Sequence, residues 1–153
     1  MIPKAQWDTK DNVADLARII MSETSATNQI EAIAVAYTVL NRMEKTNVNS
    51  VKRVWTAYAH NQYVTEKARA IAVYVLSVAF QDPTDGATHF YSPRSMPFEG
   101  DDTKGFDVRG GLEKIDGLKK KNYRPSWAAT FDEIPIAAIS PARFKFYRSP
   151  TAY

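Results

Sequence analysis

The chain has 153 residues, 44% hydrophobic and 24% charged, which suits one globular domain able to bury a core. A net charge of +3, from 20 basic and 17 acidic residues, falls well short of the basic footprint of a nucleic-acid-binding protein. There is no cysteine, which excludes disulfides and thiolate chemistry; His60 and His89 are too few for a histidine-rich metal centre, and no apolar run reaches the roughly 20 residues of a membrane span.

The recurrence of Val13, Leu16, Ile19 and Ile20 predicts a helix from about residue 11 to 23, with Asp11 as its N-cap. The polar bridge TSATN follows. Asn28, with Glu31 three residues on, resembles a capping box, and the Ala-rich, almost wholly apolar run 30–40 predicts a buried central helix. SVKRVWTAYAH (50–60) predicts a short helix capped by Ser50 and carrying Val54, Trp55 and Tyr58. TEKARAIAVYVLSVAFQ (65–81) predicts a fourth helix, capped by Thr65, with Ile71, Val75, Val78 and Ala79 facing inward. DPTDG ends it, because Pro83 cannot continue a helix and Gly86 permits a positive φ.

ATHFYSP (87–93) reads as extended and aromatic. The stretch 94–124 holds five of the six glycines and reads as a long irregular insertion, and the tail IPIAAISPARFKFYRSP offers short β-like pieces broken by prolines. The pattern predicts a mainly α fold, α+β at most, in a single domain over 1–153 with the insertion at about 94–124. The opening MIPKAQWDTKDN carries no apolar signal region, so the expected route to any external target is left open.

Glu23 closes the first apolar helix and stands at the mouth of the next. A carboxyl group that burial keeps protonated can deliver a proton to a glycosidic oxygen near neutral pH. On periodicity alone, a solvated acid at a helix end explains the same residue. Other carboxylates read structurally: Glu31 as a cap residue, Asp82 and Asp85 as turn formers, and Glu99, Asp101 and Asp102 as solvated loop charge. In ATHFYSP, Thr88, His89 and Tyr91 place hydroxyl and imidazole groups beside Phe90, a mix that binds sugars. Strand alternation sets Thr88 and Phe90 on one face and His89 and Tyr91 on the other. Trp127, Phe144, Phe146 and Tyr147 read as core or wall, and the run KKK at 119–121 as a solvated face.

The stretch SETSATNQIEAIAVAYTVLNRM (22–43) resembles the opening motif of the cell-wall hydrolases related to spore-cortex-lytic enzymes, in which a Ser/Gly-Glu pair precedes a polar loop and an apolar helix ending in Leu-Asn-Arg. NQYV (61–64) resembles that family's Gln-Phe element, with Tyr63 for Phe. DPTDGATHFYSP (82–93) resembles its Asp-Pro-Thr-Gly-Gly-Ala-Thr-His-Phe-Tyr-Asn-Pro signature, and PSW (125–127) and FKFYR (144–148) its closing elements. Asp85 replaces the signature's second glycine, and Thr27 a second glutamate in the loop after Glu23.

The resemblance implies a lysozyme-like fold and cleavage of peptidoglycan between N-acetylmuramic acid and N-acetylglucosamine, on the bacterial wall in the periplasm or outside the cell. It implies Glu23 as general acid/base, Gln62, Tyr63, Thr88, His89 and Tyr91 as substrate contacts, and a monomer with no metal or organic cofactor. With no convincing second carboxylate, the expected reaction is that of a lytic transglycosylase giving 1,6-anhydro products. A hydrolytic muramidase and a non-catalytic glycan-binding domain remain as alternatives.

Overall fold

The computed structural model describes residues 7–24, 26–61, 63–77 and 81–150. They fall into two compact units, the first running to Thr88 and the second beginning at His89. Among the described residues, no helix is long and apolar enough to cross a membrane.

The first unit is helical. Helix α1 spans Lys10–Thr24, and its cap is Thr9 rather than Asp11: Asn12 N donates to Thr9 Oγ1 at 3.2 Å, and Val13 N to Thr9 O at 2.9 Å. Leu16, Ala17, Ile19 and Ile20 are fully buried on it. Asn12 is buried too, and its polar atoms are all engaged. Its Nδ2 donates to the carbonyls of Trp7 and Asn49, both at 3.0 Å, and its Oδ1 accepts from Val51 N at 2.9 Å. Helix α2, Gln29–Lys45, starts where Asn28 Oδ1 accepts from Glu31 N at 3.1 Å. Its residues 31–41 are buried all round, as the run of alanines among β-branched residues predicts. Helix α3, Glu66–Leu76, is capped by Thr65 through Ala68 N at 3.1 Å and buries Ala68, Ile71, Ala72, Val75 and Leu76. The three helices pack pairwise against one another.

Two departures from the predicted helices have local causes. Residues 50–60 form two 3-10 turns, Val51–Arg53 and Trp55–Ala57, in place of one helix. The segment is too short to propagate an α-helix by itself, and Val, Trp, Thr and Tyr are weak helix formers. Helix α3 ends at Leu76, with the extended Ser77 (ψ 162°) as its C-cap; the expected inward positions Val78 and Ala79 lie outside the described residues.

The second unit is built on strands. β1 (His89–Tyr91), β4 (Asp132–Ile134) and β5 (Lys145–Arg148) form an antiparallel sheet in the order β1-β5-β4, with Phe90 opposite Phe146 and Ile134 opposite Phe146 on the other side. β2 (Leu112–Glu113) pairs with β3 (Asn122–Tyr123), and a bridge from Phe98 to Asn122 extends that ribbon. Tyr91, Ala128 and Tyr147 are the buried centre of a cluster packed by Met96, Trp127 and Phe131. The stretch 94–124 is tied down by Glu99 N to Lys121 O (2.8 Å) and Tyr123 N to Pro97 O (2.9 Å). Gly110 is obligatory, since a Cβ there would stand 2.2 Å from the Pro125 carbonyl oxygen.

The expected mainly α, lysozyme-like class is therefore corrected. Three α-helices together with the short 3-10 turns account for 41% of the described residues, and two small antiparallel sheets for 11%, which makes it an α+β protein. The extra strands come from pairing between distant segments, ATHFYSP with FKFYR above all, which no local periodicity announces.

Candidate active site

Glu23 lies on the last turn of α1, on the same stripe as Leu16, Ile19 and Ile20 at helical spacings of three, four and seven. It is half-buried, and burial pushes its carboxyl up to about 7 from the ordinary 4.5. Near neutral pH the group therefore exists in both forms, as an acid/base must. The helix closes immediately after it: Thr24 Oγ1 donates to Ile20 O at 2.8 Å and accepts from Ala26 N at 3.0 Å, with Ala26 in the left-handed region at φ 63°. The helix thus ends one residue beyond the acid.

Tyr58 stands within electrostatic reach of Glu23. Thr38 Oγ1 donates to Val35 O at 2.7 Å, so the 3.1 Å contact between Thr38 and Tyr58 is donated by the phenol. Burial, with a smaller contribution from the Glu23 charge, pushes the Tyr58 hydroxyl up to about 12, against the lowering effect of Arg42. The phenol is therefore neutral in the range where Glu23 titrates. The guanidinium carbon of Arg42 sits 5.2 Å from the Tyr58 ring centroid, and its Nε donates to Thr88 O at 2.6 Å.

The two segments of strongest resemblance are joined physically. Asn41 Nδ2 donates to Asp82 Oδ2 at 2.9 Å and to Ala87 O at 2.8 Å. Asp82 also accepts from Thr84 N (2.8 Å), Thr84 Oγ1 (2.6 Å) and Gly86 N (2.9 Å). It is the knot of the DPTDG turn, committed to holding that turn on α2. Asp85 (φ 50°) and Gly86 (φ 87°) both occupy left-handed conformations, where glycine is least strained and Asp is tolerated.

The remaining expected site residues divide as follows. Tyr63 is 68% exposed in the first unit, and Gln62 lies outside the described residues. Thr88 is fully buried. In the second unit, His89 is half-buried against Trp127 and Phe131, with ring centroids 5.0 and 4.8 Å away. Tyr91 is 8% exposed, meets Trp127 and Tyr147, and donates to Glu113. His89 and Tyr91 thus share a face, while Phe90 meets Phe144 and Phe146 on the other, as strand alternation predicts.

Sequence reasoning missed Tyr58 as a neighbour of the acid, and Thr38 and Arg42 as the groups around that phenol. The usable signal was the seven-residue step from Leu16 to Glu23, which places a carboxylate on a core-facing stripe. Comparisons of the chain with protein-family models and curated proteins, and of its structure with solved structures, return no match.

Proposed function

We propose that the protein cleaves the glycan strands of peptidoglycan between N-acetylmuramic acid and N-acetylglucosamine, with Glu23 as general acid and base. The observation that carries this reading is a carboxyl group pushed up to about 7 by burial, at a helix end. Protonated Glu23 donates to the glycosidic oxygen as positive charge grows on the anomeric carbon. The resulting carboxylate then takes the proton of the muramic acid C6 hydroxyl as that oxygen closes on the same carbon. One C–O bond breaks, one forms, and Glu23 ends protonated. The product is a 1,6-anhydro sugar and no water is consumed.

The transglycosylase form is favoured over the hydrolytic one because the carboxylates nearest in sequence are otherwise engaged. Asp82 accepts four hydrogen bonds within its own turn and from Asn41, and Glu31 is only 1% exposed at the start of α2. A conventional hydrolase needs a second carboxylate to serve as nucleophile or to activate water. On this reading the protein works as a monomer on the bacterial wall, in the periplasm or outside the cell. Mass spectrometry of muropeptides released from purified sacculi tests it. Anhydro ends support the proposal and reducing ends move it to a muramidase. Sacculi bound without release, or lysis that survives Glu23→Gln, would overturn it.

A further inference from the structure

Trp55 gathers three groups around one indole. His60 stacks on it with ring centroids 3.8 Å apart and planes 13° apart. The Arg18 guanidinium carbon stands 4.8 Å from the ring centroid and Lys52 Nζ 5.7 Å. Arg18 is further fixed by Asn61, since its Nε donates to Asn61 O at 2.8 Å and its carbonyl accepts from Asn61 N at 3.0 Å. Among the described residues, neither the Nη groups of Arg18 nor Lys52 Nζ donates a hydrogen bond. Asp15 is buried beside them; burial raises its carboxyl above the ordinary range while Lys52 and Arg18 pull it down. Lys52 and Arg18 therefore both act on that carboxylate, and the exposed Asp11 opposes its charge.

We propose that this cluster binds a carboxylate of the peptide stem, so that the substrate is peptide-bearing rather than peptide-stripped glycan. The inference rests on the reading of Glu23 as the acid that cleaves the strand. A guanidinium over an indole, tied to Asn61 through its Nε, leaves its Nη groups for a planar carboxylate, and Lys52 adds a mobile point charge. Arg18 precedes Glu23 by five residues, about 8 Å along the helix axis and about 140° around it. A stem of four or five residues, at about 3.3 Å per residue, reaches round that arc. The segment from Tyr58 to Asn61 connects the two places: Tyr58 feels the Glu23 charge, His60 lies on Trp55, and Asn61 is clamped by Arg18. A teichoic-type polyphosphate is a poorer match, because it calls for an extended basic stripe and these cations form a compact pair.

The test measures binding by calorimetry in the Glu23→Gln protein, where cleavage does not confuse the result. Three ligands are compared: a disaccharide bearing a free-carboxylate pentapeptide, the same compound with its stem carboxylates amidated, and the peptide-free disaccharide. The expected result is about tenfold tighter binding of the first, a margin of one or two charge-assisted hydrogen bonds. Lys52→Glu, which alters an exposed side chain, and Arg18→Lys, which keeps the charge but loses the fork, should each remove most of that margin. Salt at ~1 M, where screening acts over about 3 Å, should shrink it. Equal affinity for the three ligands, an unchanged margin in both variants, or preference for glycerol-phosphate oligomers would overturn the stem assignment. Strand cleavage by the unaltered protein is read separately, so a failed stem site and a failed catalytic reading give different outcomes.

Discussion

Folding takes the Glu23 carboxyl out of water without supplying a counter-charge, and that has a thermodynamic signature. Below about pH 4.5 the group is protonated in folded and unfolded chains alike. Between 4.5 and about 7 the unfolded chain releases the proton and the folded chain keeps it, so stability falls as pH rises through that window. The loss is at most about 3 kcal/mol and is complete above the folded value. Glu23→Gln should abolish sacculus lysis, melt near the parent at pH 4 and melt higher than the parent at pH 8, which thermal denaturation at the two pH values would show. A parent chain with no such fall in stability would mean that the carboxyl ionises freely. Activity should follow the same group, with kcat/KM dropping about tenfold per pH unit above 7 as the acid form is depleted. At Asp85, φ 50° is tolerable for Asp and costly for a β-branched side chain; Asp85→Val should cost about 1–2 kcal/mol in chemical denaturation, and Asp85→Gly far less. Glu23 was singled out in the chain by its place in the SETSATNQIEAIAVAYTVLNRM stretch, since periodicity alone fits a solvated acid at a helix end. Its proximity to Tyr58 was not legible, since 34 residues of intervening chain decide where that phenol lands.

Between elements, the connection of greatest consequence is the one from α2 to the DPTDG turn. Asn41 is 4% exposed, and its amide satisfies both a carboxylate oxygen and the Ala87 carbonyl. Asn41→Ala would strip donors from two acceptors that water reaches poorly, and should destabilise the first unit by about 2–3 kcal/mol. Hydrogen exchange would report it as lost protection at Gly86 and Ala87, whose amides hydrogen-bond to Asp82 and to Thr84. Unchanged protection there would show that Asp82 holds the turn without help. Helices α1 and α3 could be read from the chain because each combines a 3.6-residue apolar period with a side-chain cap, and α2 because a long apolar run follows the Asn28 cap. The extended character of ATHFYSP and FKFYR could be read too, but not their pairing, and β2 and β3 could not, because runs of two residues carry too little periodicity. What defines β1 and β5 is each other: Phe90 against Phe146, and His89 against Tyr147. Even the charge of the Lys145 ammonium on β5 is a long-range product. Burial alone would lower it, yet Glu113 at 2.9 Å and Glu133 at 3.2 Å keep it charged.

For the whole molecule, the same distinction explains why the chain read as mainly α and folded as α+β: the helical part is locally encoded and the sheet part is not. Charge, by contrast, is a property of composition, and it makes a prediction at this scale. A surplus of three positive charges over 153 residues gives only weak long-range attraction to an anionic wall. Retention on sacculi should then depend mainly on contacts with sugar and stem. Raising salt from about 0.05 to 0.2 M releases counterions in proportion to the number of anionic groups neutralised, and proteins making six to ten phosphate contacts lose about 10³–10⁵ in affinity over that range. With one or two such contacts, sedimentation of the Glu23→Gln protein with sacculi should weaken by less than about tenfold over the same interval. A loss of a thousandfold or more would reveal a polyanion-binding face that the net charge conceals, and would shift the recognised partner from the glycan strand to the phosphate polymers attached to it.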